Sequence, residues 1–146
     1  MALPGLIVII PPLLDLRGNI NGALASRLGT ALHTGVIEPK FSMSPELKVN
    51  LASSVILSFL ASVTIGILSV VVSALLGIQS INILALLTIA VVAGVVSGVI
   101  LAVLTVPLSI ISYARGWDPD NVTAPLMATI GDLLTIVSIF LAALLV

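Results

Sequence analysis

Cysteine is missing from this sequence, and aromatic and charged residues are scarce. The lack of cysteine excludes disulfides and thiolate metal sites. Charged residues make up 8% and hydrophobic residues 60%, whereas a soluble domain carries about 25% charge. So few charges cannot cover a surface in water, so most of this surface faces lipid. A net charge of -1 offers no basic footprint for nucleic acid. Aromatics at 3% leave only weak interfacial belts. Also missing are His/Asp/Glu groups at zinc-ligand spacing, a Ser/His/Asp arrangement and a glycine-rich phosphate loop. Nothing therefore supports hydrolysis or phosphoryl transfer, and the chain reads as a non-enzyme without a cofactor.

What is present is an all-α, polytopic transmembrane bundle. The 146 residues allow about four spans in a single domain, 1–146, with no separate soluble regulatory domain. The run Leu3 to Leu14 is apolar but has neither a basic leader nor a cleavage site, so it reads as half of a membrane helix. The four helices are expected at about 3–35, 49–76, 81–113 and 122–146. Pro11 and Pro12 predict a kink or break near the midpoint of the first, and Pro107 an interruption of the third. Ser44 followed by Pro45 is a helix start signal. Asp120 or Asn121 is the expected N-cap of the last helix. Gly77 to Ser80 reads as a tight turn. In the third segment Ala90, Gly94 and Gly98 lie four apart, as do Ala93 and Ser97. Such stripes let helices approach closely in lipid, and packing is the leading reading.

Basic residues set an orientation. Lys40, Lys48 and Arg115 fall in or beside the polar loops 36–48 and 114–121, on one side of the bundle. The positive-inside rule makes that side cytoplasmic in a multi-pass cell-membrane protein. An outward N-terminus then predicts one further helix before Met1.

Asp132 is the strongest candidate for chemistry. It lies mid-span in the last helix, ~16 Å along it at the helical rise, near the midplane of a hydrocarbon core about 30 Å thick. A buried carboxylate there costs a few kcal/mol unless hydrated, paired or bound to a metal. Ala124 and Ala128 share its face, with Thr135 beside them. In the first segment Asp15, Asn19, Gly22, Ser26, Thr30 and His33 recur every three or four residues and form one polar stripe. Their oxygens suit hard, hydrated cations. Arg17 points to another face than Asp15, Arg27 is expected to snorkel, and His33 reads as a hydrogen-bonded structural histidine. Asp118 and Asp120 flank Pro119 at the cytoplasmic mouth.

Two long passages carry a resemblance. PPLLDLRGNINGALASRLGTALHTG resembles the P-x-L-x-x-x-x-G-N helix of the MgtE-type divalent cation transporters, and more closely their magnesium solute-carrier branch, where L-[KR]-G-N and L-A-S-R-L-[GS]-T recur. GWDPDNVTAPLMATIGDLLT resembles that branch's D-P-D…G-D helix. The resemblance implies a magnesium pathway along a dimer axis. It implies that Asp132 binds the central cation, with Asn19 and Ala128 lining the pore nearby. It also implies a five-helix repeat, of which this chain shows four, and a homodimer in membrane lipid. Two other readings use the same residues: a non-transporting subunit assembled with another transporter chain, and a cation/proton or sodium exchanger.

Overall fold

A computed structural model describes residues 5–78 and 82–146. It contains four α-helices: α1 Leu6–His33, α2 Pro45–Leu75, α3 Ile83–Ala114 and α4 Pro119–Ala143. No strand occurs among the described residues. Three helices, α2, α3 and α4, are long and apolar enough to cross a membrane. α1 has the length, but Asp15, Arg17 and Arg27 make it more polar.

Helix starts follow local chemistry more closely than hydropathy. α2 begins at Pro45, not at Val49, because the Ser44 hydroxyl accepts from the Leu47 amide at 3.2 Å and Pro45 presets the first turn. α4 likewise begins at Pro119, not at Val122. Its cap is Asp118, not Asp120 or Asn121: Asp118 accepts from the Asp120 amide and from Asn121 Nδ2, each at 3.0 Å. A proline after a capping residue thus outweighs the polarity of the residues that follow it.

The prolines inside helices do not break them. α1 runs through Pro11 and Pro12, and α3 through Pro107. The first pair lies in the second turn of α1, not at its midpoint, and both rings are exposed. Each interior proline costs about 3 kcal/mol. On the opposite side of α1, Ile9 and Leu13 are fully buried against Leu86, Ile89 and Ile139. Burying such side chains contributes about 1.5–3 kcal/mol each, which offsets much of that cost. The turn expected at 77–80 lies partly outside the described residues. Just past the end of α3, Gly116 has a φ of 74°, and its amide donates to the Tyr113 carbonyl at 2.9 Å.

α1 and α3 form the short diagonal of the bundle. Each touches α2 and α4, while α2 and α4 do not touch one another. Ser58 and Ser62 line the α2–α3 seam, and the same buried stripe of α2 continues through Ser69 and Ser73. A methyl group at Gly94 would collide with Ser62, and one at Gly98 would meet Ser58 Oγ at 2.6 Å. The small-residue stripe of α3 therefore serves close packing, as its spacing predicts.

Candidate cation site

The α1–α4 register is fixed by three contacts along the antiparallel pair. A methyl group at Gly29 would sit 3.5 Å from Asp120 Oδ1 and from Pro119 Cβ. At Gly18 it would lie 3.8 Å from Ala128 Cβ, and at Gly131 it would lie 3.1 Å from Arg17 Cβ. Residue numbers fall along α4 as they rise along α1, so these pairings bring Asp15 to about the depth of Asp132. Asp132 itself is the fourteenth residue of α4, near its middle.

α3 covers the inner side of this seam: Leu101 also reaches Gly131. The outer side is open. Asp15, Asn19, Ser26, Thr30 and His33 are exposed there and Gly22 is half-buried, so the stripe of α1 is a surface feature. Asp132 is exposed too, on the α1 side of α4, one turn from the half-buried Ala128 and two from the half-buried Ala124. This corrects the expectation of a buried aspartate: Asp132 is central in depth but lies on the outside of the single chain. Thr135 is corrected in the other sense. It is fully buried, on the inward stripe shared with Gly131 and Ser138, and its hydroxyl has no partner. Three residues after Asp132, it falls on the core side of α4.

The hydrogen bonds divide the face by depth. At the level of Asp132, Asn19 Nδ2 donates to Asp15 Oδ2 at 2.9 Å. Asp15 and Asn19 also line a lateral cavity of about 490 Å³, walled by Leu57, Leu60 and Thr64 of α2. Toward the end near the polar loops, Ser26 Oγ donates to Asp120 Oδ2 at 3.4 Å. Asp118 is occupied with capping. His33 is held by the Gly29 carbonyl at 2.7 Å and lies edge-on to Tyr113, a structural role. Arg27 does not simply reach for water: its Nη2 donates to Ser54 Oγ at 3.2 Å, tying α1 to α2.

From sequence pattern Arg17 has no role beyond pointing to another face than Asp15. It is fully buried where the four helices meet, with Nη1 donating to Ser58 Oγ at 3.2 Å. The signal was available: Leu13, Arg17, Leu24 and Leu28 lie on the apolar side of α1, opposite the polar stripe. Among the described residues no group of three His, Cys, Asp or Glu side chains converges on one point.

The MgtE family profile, a divalent cation transporter, matches residues 10–142. The chain belongs to the MgtE family. This MgtE domain is 32% identical over 138 residues to solute carrier family 41 member 3 of Rattus norvegicus, covering 90% of the chain and 29% of the relative. It is 31% identical over 135 residues to solute carrier family 41 member 2 of Mus musculus, covering 88% and 23%. With the Homo sapiens member 2 it shares 29% over 135 residues, with the same coverage. The chain therefore spans less than a third of the length of these relatives. No solved structure matches it. Family membership and the three apolar helices make it a membrane protein of a divalent cation transporter family.

Proposed function

We propose that the outer face of α1 and α4 lines a pathway for hydrated divalent cations, magnesium preferred, completed by the same face of a second chain. The observation that carries this reading is the position of Asp132: a carboxylate exposed at mid-helix, in a chain whose other exposed helix faces bear Leu, Ile, Val and Phe. An ionised group facing lipid at that depth costs several kcal/mol. A wet interface between two copies removes the cost. Two Asp132 side chains across a two-fold axis, with Asp15 and Asn19 beside each, attract a divalent ion and hydrogen-bond its water. Asn19 holds Asp15, Ala128 and Ala124 leave space for the hydration shell, and Gly22, Ser26 and Thr30 continue the wet face toward Asp118 and Asp120.

In this arrangement the loops 36–48 and 114–121 are cytoplasmic, and Asp120 with Ser26 marks the inner mouth. The pathway works in the cell membrane, with lipid against α2 and the far sides of α3 and α4. The test is flux of ²⁸Mg²⁺ or Mn²⁺ into proteoliposomes holding the pure protein. Wild type should transport, and Asp132→Asn, folded and inserted, should not. Normal transport by Asp132→Asn would overturn the reading. No flux from the pure chain, restored by another transporter chain, would instead make it an accessory subunit.

A further inference from the structure

Arg17 is the only charged side chain fully buried among the described residues. Its single side-chain hydrogen bond goes to a neutral hydroxyl, Ser58 Oγ, while Nε and Nη2 have no partner. Nη1 packs against the backbone of α3 at Gly98, where a methyl group would lie 2.5 Å from it. An ion without an anionic partner in the interior is strongly destabilising, and a neutral residue of similar volume would pack there at lower cost. Packing alone therefore does not account for a guanidinium at this point.

The position of the negative charges does. The remaining acidic residues lie near the polar loops, at Glu38, Glu46, Asp118 and Asp120. Only Asp15 and Asp132 share the depth of Arg17. Asp15 is two residues away on the same helix, and Asp132 follows Gly131, which packs on Arg17 Cβ. The guanidinium lies behind the wall that carries these carboxylates, directed away from the open face and onto α2 and α3. Arg27 lies farther along α1 and is committed to Ser54.

We propose that Arg17 is the fixed counter-charge of the cation pathway, a positioning residue that never touches the ion but sets how readily it leaves. The proposal rests on Asp132 being the cation site. When the pathway is empty, Arg17 offsets the carboxylates through the low-dielectric wall, and they offset it. When a divalent cation enters, Arg17 repels it. Conduction requires binding strong enough to admit an ion and weak enough to release it. A buried positive charge behind an acidic site provides the second condition without blocking the path.

The test is initial flux against Mg²⁺ concentration in proteoliposomes for wild type, Arg17→Lys, Arg17→Met and Ser58→Asp. Arg17→Met removes the charge at similar volume. Ser58→Asp leaves Arg17 in place and neutralises it from 3.2 Å away. Both should lower the apparent KM by about tenfold and reduce the maximal rate, as tighter binding slows release. Arg17→Lys should stay near wild type. Where Arg17→Met cannot be purified folded, Ser58→Asp decides alone. An unchanged or raised KM in the folded neutralised variants overturns the proposal, because a purely structural role lowers thermal stability and rate without tightening binding. If Asp132→Asn transports normally, the cation-site reading itself fails. If Asp132→Asn is inactive while the KM of the neutralised variants is unmoved, only the role of Arg17 fails.

Discussion

Two seams of this bundle are built from similar residues and do different things. The α2–α3 seam is a run of serines against Ala90, Gly94 and Gly98, and it is closed. The α1–α4 seam sets glycines against alanine and proline, and its outer edge carries Asp15, Asn19, Ser26 and Asp132, all exposed. Small size explains close helix approach in both. What separates them is the presence of ionisable groups and their side of the seam. A hydroxyl buried in a helix interface can satisfy itself on its own backbone, as Ser62 does on the Ser58 carbonyl at 2.6 Å and Ser97 on the Ala93 carbonyl at 2.7 Å. A carboxylate has no such option and must be placed where water or a cation can reach it.

The largest effect that separates the seams is expected at Asp132. Asp132→Asn should reduce cation flux to background while leaving the thermal unfolding of the purified protein close to wild type. A variant that transports normally would erase the distinction. Gly94→Leu should do the reverse and act through the fold: its side chain collides with Ser62, and thermal denaturation should reveal a loss of about 3 kcal/mol or more. Full stability there would mean that α2 and α3 do not pack as closely as described.

A smaller effect sharpens the picture of the outer face. Asp15→Asn removes one carboxylate at the depth of Asp132 and leaves the other, so flux at limiting Mg²⁺ should fall by about tenfold. An unaltered concentration dependence would confine the site to Asp132. The smallest effect is expected at Thr135. Its buried hydroxyl has no partner, so Thr135→Val should be neutral or stabilising by up to ~1 kcal/mol and leave flux unchanged. Loss of flux in that variant would return Thr135 to the pathway.

Much of this was readable from residues alone. Helix number, the polar stripe of α1 and the mid-span depth of Asp132 follow from periodicity and the helical rise, which are local properties. The family resemblance was carried by the Pro11–Gly35 and Gly116–Thr135 passages, and family membership is shown. Helix starts were misplaced by three or four residues because hydropathy was weighed above the Ser44–Pro45 and Asp118–Pro119 start signals. The sides of Asp132 and Thr135 could not be read, because three residues of helix turn a side chain across the boundary between core and surface. Only the neighbouring helices decide where that boundary lies. Arg17 was missed for a related reason. Two residues from Asp15 it points to another face of α1, but only the packing of α2 and α3 shows that this face is closed.

The absence of cysteine allows the central claim, that the outer α1–α4 face is wet and holds the cation, to be tested by single substitutions. Ser26→Cys on that face and Ser69→Cys in the α2–α3 seam should be treated with a charged, membrane-impermeant thiosulfonate in proteoliposomes, with and without Mg²⁺. The account predicts that the thiol at position 26 is modified, that Mg²⁺ slows the reaction, and that the thiol at position 69 stays unmodified. A position 26 that does not react, or reacts equally fast in both conditions, would contradict it.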